Sequence, residues 1–374
     1  MAFTVHPRFT MNPHAFVAPI LLFAASLPSA DTIVRTDGKK IENVQVVSET
    51  MTEVVYKKGR NVQTLRAERI LQIQFEKMPR LLDEAEAFVG EDDLGAALDA
   101  LDEYVEGQIE RPNERLKWAP AYAAWRTVEL RQSLADLGGA QQAALRLIDN
   151  FEDSRYVPGA YLAKASAEID SGRAANALKT LEKFAALVEK NQLSKRYDLE
   201  CRMVRIRAEE KRSGEARRTD LGIIAREAGS EFPTVKSRAE LLEGEVFLSE
   251  ASRTVNPEKA AKLRGKAQLV FERIAKTGNA TEATLAGAYT GLGECLYYSG
   301  AEQEDEELLK QASMYFLRVI TLFKGESRYV SKSIYFAMRC FHLTQDRTRK
   351  ADMLRELKSL FPNSGWIAEA EKIR

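Results

Sequence analysis

This chain of 374 residues is poor in the side chains that most often do chemistry, with three cysteines and three histidines. Cys201, Cys295 and Cys340 are odd in number and far apart, which does not describe a disulfide framework. Each falls in a predicted helix, where a small thiol packs well. His6 and His14 lie in the first thirty residues, so His342 stands alone in the remainder. One histidine is too few for a multi-histidine metal site and leaves little scope for histidine-based catalysis. The chain also lacks a C-x-x-C pair, a G-x-S-x-G elbow and a G-x-x-x-x-G-K-S/T phosphate loop. An excess of one charge is missing too: 55 lysines and arginines balance 55 aspartates and glutamates. That removes overall steering toward nucleic acid or an anionic membrane. No metal, cofactor or nucleic acid is expected.

What is present falls into three parts. Residues 1–30 carry no acid, one arginine, Arg8, an apolar run from Ala15 to Ala25 and the small-residue stretch Ser26 to Ala30. They read as a secretory signal peptide cleaved after Ala30, with Met11 as an alternative start. Beyond it no apolar run reaches the length of a membrane-spanning helix, so no transmembrane segment is expected in the mature chain. Residues 31–78 alternate in short β-rich runs, broken by Asp37-Gly38 and Lys58-Gly59. Four or five short strands in a small curled antiparallel sheet are predicted. Residues 79–374 read as helices in pairs.

The helical part repeats a phrase, A-L-x-x-L/I-x-x-Y/F. It occurs at Ala97, Leu98, Leu101 and Tyr104, at Ala144, Leu145, Ile148 and Phe151, and at Ala177, Leu178, Leu181 and Phe184. These offsets share one helix face, with alanine where a neighbouring helix comes close. The last two copies are 33 residues apart, the length of a helix-turn-helix solenoid unit. The predicted fold is mainly α, a solenoid of about seven helix pairs behind the β module. Predicted turns include Gly138-Gly139, Gly172, Gly214, Ser299-Gly300 and an acidic insertion at Glu302 to Glu307.

Tyr289, Leu292, Gly293 and Gly300 are similar to the W-x-x-L-G and later glycine of the tetratricopeptide repeat, and Tyr161, Ala165, Gly172 and Ala177 fit the same frame. Ala165 and Gly293 are the small residues that let paired helices cross closely. Helix-ending phrases F-E-D-S-R-Y-V from Phe151, F-K-G-E-S-R-Y-V from Phe323 and F-P-N-S-G-W-I-A from Phe361 resemble junctions of periplasmic tetratricopeptide proteins. In them serine is expected to cap the next helix. The run from Asp31 to Val44, with Ala67 to Ile73, resembles the small SH3-like barrels that follow the signal peptide in some exported bacterial repeat proteins. These resemblances imply an envelope location and protein partners.

The acids of the first pair, Asp83, Glu84, Glu86, Glu91, Asp92, Asp93, Asp99, Asp102, Glu103 and Glu106, are predicted on solvent faces that keep the solenoid end soluble. Lys195, Arg202, Arg205 and Arg212 share one helical face in the fourth pair and are candidates for binding an acidic partner. Glu200, Glu209 and Glu210 lie close enough to pair with them instead. The acidic, basic, acidic order along the array also raises self-association. The resulting expectation is an exported, non-enzymatic scaffold whose first helices line a groove for protein partners. Two alternatives stand beside it. One is a helical-array enzyme acting on an envelope polymer through paired carboxylates; the other is a cytoplasmic adaptor, if the leader is retained.

Overall fold

The computed structural model describes residues 30–113, 116–278 and 280–373, so residues 1–29 of the leader reading, with His6 and His14, lie outside the described residues. Five strands come first: β1 (Asp31–Arg35), β2 (Lys40–Glu49), β3 (Glu53–Lys58), β4 (Asn61–Arg66) and β5 (Ile70–Gln74). They form one antiparallel sheet in the order β4-β3-β2-β1-β5. Register shifts in the β1/β2, β1/β5 and β2/β3 ladders bend it, as bulges do. The curl closes over Ile33, Val44, Val54, Tyr56, Ile70 and Ile73. Gly38 at φ 79° and Gly59 at φ 61° take the turn positions where a Cβ would be strained.

Fifteen helices follow among the described residues: α1 (Arg80–Gly90), α2 (Leu94–Glu110), α3 (Trp118–Ser133), α4 (Leu137–Asn150), α5 (Val157–Asp170), α6 (Ala174–Lys190), α7 (Lys195–Ala208) and α8 (Gly214–Ala228) make the first four pairs. The remainder are α9 (Pro233–Arg253), α10 (Pro257–Lys276), α11 (Glu282–Gln303), α12 (Glu306–Leu322), α13 (Ser327–Leu343), α14 (Arg347–Leu360) and the short α15 (Trp366–Glu371). Each helix packs mainly on its sequence neighbours, and the first helices of successive pairs touch one another. This is a tetratricopeptide-like α-solenoid, as the repeated phrase implies.

In two copies of the phrase the alanine, the second leucine and the aromatic are buried. Ala97, Leu101, Tyr104, Ala177, Leu181 and Phe184 are buried, and Ala165 packs in the same cluster as Ala177 and Phe184. Burying a ring such as Phe184 contributes roughly 2–3 kcal/mol. In the second copy Ala144 is buried and Ile148 and Phe151 pack at the margin, but Leu145 is 45% exposed. It lines a pocket of about 280 Å³ between α4, α5 and α6.

Caps, not glycines, set several boundaries. Gly138-Gly139 is not a turn: Asp136 accepts from the Gly139 amide at 2.9 Å, so both glycines fall in the first turn of α4. Ser299-Gly300 lies inside α11, and the acidic insertion shrinks to a two-residue link. There Asp305 accepts from the amides of Glu307 and Leu308 and starts α12. Ser213 likewise starts α8 at Gly214. The first-pair acids are not all on solvent faces. Glu86 takes the Arg126 guanidinium and the Tyr122 hydroxyl, and Asp102 takes Arg131 and Arg146, so both tie helices together.

The three cysteines are free and buried. Burial pushes the Cys201 thiol up to about 11 and that of Cys340 to about 12. Thiols held so far from ionisation are structural.

Candidate site at the closed interior of the helical turn

The first helices α3, α5, α7, α9, α11 and α13 touch in sequence, and α13 returns to touch α3. Ser327 at the start of α13 donates to the Gln132 carbonyl near the end of α3 at 2.6 Å, and Ala135 packs in the core formed by α13. Pairs two to seven therefore complete one turn, and the first helices line the inside of it.

Side chains from five of these helices meet inside it. Arg207 of α7 donates to Asp170 at 2.7 Å and to Ser166 at 3.3 Å, both on α5. Tyr329 of α13 donates to Glu245 of α9 at 3.2 Å, and Arg328 lies 3.8 Å from the same carboxylate. Lys332 of α13 reaches Glu294 of α11 at 2.6 Å. Gly287 of α11 lets Tyr329 and Leu241 close in where a Cβ would collide. Burial and the neighbouring Arg328 guanidinium pull Arg207 below its ordinary value. Burial opposes the charge of Arg328 too, but Tyr329, Glu245 and Asp170 outweigh it and push that group up. Arg328 remains 46% exposed and Arg238 49%, so water enters among these groups.

Nearer the sheet, Glu200 holds both Arg196 at 3.3 Å and Arg238 at 3.2 Å, and Arg196 also donates to the Glu68 carbonyl of the sheet module. The same end carries the buried Arg155–Glu49 pair and an aromatic run in which Phe75 stacks on Trp118, with Tyr122 and Tyr156 edge-on beyond it. The sheet module thus sits on the starts of α3, α5 and α7.

One signal in the sequence marks these arginines. Arg155-Tyr156, Arg196-Tyr197 and Arg328-Tyr329 each stand at the start of a first helix, and each guanidinium lies over the ring of the next residue, at 4.2, 5.9 and 5.5 Å from its centroid. The junction serines were expected to cap helices. Ser154 and Ser364 do hold the amide two residues on, but Ser327 closes the turn instead.

The basic residues picked from sequence separate into different settings. Lys195 and Arg202 converge on Glu227, at 3.5 and 3.0 Å, and Arg202 also reaches Asp198. Arg212 lies on Glu209 and Asp220. Arg205 has a buried Nε with no hydrogen-bond partner. The face is laced with ion pairs. His342 is exposed beside Lys350. Among the described residues no group of three side chains could hold a metal, and no helix is long and apolar enough to cross a membrane.

Burial holds the Glu294 carboxyl above its ordinary 4.5 despite Lys332, and Glu326 and Glu243 are raised for the same reason. A carboxyl that binds its proton more tightly when folded stabilises in acid, and that contribution is lost as pH rises from its unfolded value through its folded one. The melting temperature is therefore expected to fall as pH rises above the ordinary carboxylate range, and Glu294→Gln is expected to flatten the slope. Calorimetry across that rise in pH checks it; an unchanged slope in the variant would remove Glu294 from the account.

No family model matches the chain, and no curated protein matches it in sequence. Among solved structures it is similar to PilW, described as a widely conserved type IV pilus biogenesis factor, at 12% identity over 78% of this chain and 97% of that one, with a TM-score of 0.31. It is also similar to a tetratricopeptide repeat protein from Parabacteroides merdae, at 14% identity over 78% of this chain and 96% of that one, with a TM-score of 0.37.

Proposed function

We propose that the chain is an exported, non-enzymatic scaffold that holds protein partners in a bacterial envelope. The observation that carries this is the pairing of the interior carboxylates. Asp170, Glu200, Glu245 and Glu294 each have a cation or hydroxyl on them, so these four carboxylates do not stand as a free acid and base on either side of a cleft. Arg238 and Arg328 keep about half of their side chains accessible and can accept a partner's carboxylates without a new site being opened. Lys195, Arg202 and Arg205 on α7, with Arg212 in the link beyond it, are a weaker second contact, because most of their ion pairs must first be given up. Export rests on the leader composition of residues 1–30.

Photo-crosslinking in envelope preparations tests the reading, with benzoylphenylalanine placed at position 238 or 328 and, as a control, at the exposed Leu269 on α10. The two interior positions are expected to trap the same protein partner and position 269 none. N-terminal sequencing of that material is expected to begin at Asp31. Equal trapping from all three positions, or a polymer-cleaving activity lost in Glu245→Gln, would favour the carboxylate enzyme instead.

A further inference from the structure

The β4 edge of the sheet is uncovered. It pairs with β3 alone, and Asn61 to Thr64 and Arg66 are exposed. Its ladder runs from Glu53 opposite Arg66 to Lys58 opposite Asn61 with no register shift, whereas the other three ladders are bulged. Regular edges are templates for added strands, and proteins usually blunt them with a bulge, a proline or a central charge. β4 has none of these: its first five residues, N-V-Q-T-L, are uncharged, and Val62 is 60% exposed.

The hydrogen-bonding direction follows from the hairpin. Gly59 and Arg60 form its two-residue loop, so Lys58 and Asn61 are the closing pair that exchanges both hydrogen bonds. Alternation then turns the amide and carbonyl of Val62 and Thr64 away from β3, toward the free edge.

Charge decides what fits there. Lys57, Lys58 and Arg60 cluster at the hairpin tip, exposed and in no ion pair among the described residues. Arg66, at the other end of β4, is 74% exposed with Glu68 at 3.6 Å. An antiparallel pairing of β4 with a second copy would set Asn61 against Arg66, bringing the tip cations of each chain to the Arg66 of the other. Like charges set opposite each other destabilise such a pair. A strand with acids at its ends meets the cluster of tip cations at one end and, at the other, Arg66 with Glu53 opposite it and Glu68 beside it, so the hairpin tip supplies most of the attraction.

We propose that β4 is a docking edge for an acidic segment of a protein partner, added in extended conformation as a sixth strand. This surface is separate from the helical interior, and neither proposal depends on the other.

The test is hydrogen exchange of the full chain with two synthetic peptides, acetyl-Glu-Val-Thr-Val-Thr-Val-Glu-amide and its lysine-ended counterpart. The acidic peptide is expected to slow exchange at Val62 and Thr64 and to bind at least about tenfold more tightly than the basic one. Thr64→Pro removes an outward donor from an edge position that tolerates proline and is expected to abolish the protection. Should that variant misfold, Lys58→Glu with Arg60→Glu leaves the backbone intact and is expected to reverse the preference between peptides. Equal binding of both peptides, protection of β4 before any peptide is added, or a dimer in sedimentation that Thr64→Pro dissolves would overturn the proposal, the last by giving the edge to a second copy.

Discussion

Arg155→Ala is expected to cost about 3–5 kcal/mol and to loosen the sheet module from the helices, because it leaves a buried carboxylate without its cation. Glu49 at the end of β2 and Arg155, two residues before α5, are 6% and 7% exposed, and they are 106 residues apart in sequence. Arg155 also donates to the Tyr156 hydroxyl at 2.6 Å and lies over its ring. Burial already pushes the Glu49 carboxyl up in spite of Arg155, and Asp31 adds to the push. Without the guanidinium it must either take up a proton or be pulled into water, and the second choice separates the layers. The loss is accordingly expected to be smaller near pH 5 than near pH 8, since protonation costs less in acid. Urea denaturation gives the magnitude, and limited proteolysis of the link between Gln74 and Arg80 reports the loosening. Glu49→Leu combined with Arg155→Met is expected to return most of the stability, because an apolar pair of similar size removes the stranded charge. A loss below about 1 kcal/mol in Arg155→Ala would show that this pair does not hold the module.

The helix faces were legible because they depend on spacing within one element. Ala97, Leu101, Ala177, Leu181 and Phe184 needed only the period of the helix to be placed in the core. Boundaries were harder where glycine and a capping acid competed. At Gly138-Gly139 a glycine pair looks like a turn, yet Asp136 three residues before Gly139 satisfies an orphan amide and extends the helix backward. The acids of residues 302–307 look like an insertion for the same reason, yet one of them, Asp305, is a cap.

The site was mostly illegible. Its parts come from helices far apart, as when Ser327 meets Gln132 across 195 residues, and no local pattern encodes that meeting. The closure depends on how much each pair rotates against the next, a quantity summed over five junctions. The basic face of α7 showed the opposite failure. A helical projection puts Lys195 and Arg202 together correctly, but it cannot show that Glu227 of α8 stands between them and a partner. The Arg-Tyr recurrence at residues 155, 196 and 328 was available in the chain and points to the arginines that join layers. Two of its copies lie inside the junction phrases that start at Phe151 and Phe323, where the serine and the aromatics suggest caps and packing and nothing local shows which carboxylate each arginine meets.

Phe271→Ala is expected to cost about 3–5 kcal/mol, the loss for emptying a fully enclosed aromatic site. Phe271 of α10 is 0% exposed, and its ring lies between Gly244 of α9 and Gly291 of α11. A Cβ at either glycine would overlap the ring, so these two helices approach as closely as they do only because neither has a side chain there. The ring cannot retreat from one glycine without meeting the other. Gly291→Ala is therefore expected to lose about 1–3 kcal/mol by overpacking, although alanine is the better helix former. Combining Gly291→Ala with Phe271→Leu should recover part of the loss, with a coupling of about 0.5–3 kcal/mol in a double-mutant cycle. The consequence reaches the interior, because α11 also carries Gly287 and Glu294 against Tyr329 and Lys332 of α13. A displaced α11 is expected to weaken the Ser327–Gln132 contact and to speed hydrogen exchange at the start of α13. Purely additive losses, or unchanged exchange in α13, would mean that the close crossing at Phe271 is local and does not help to close the turn.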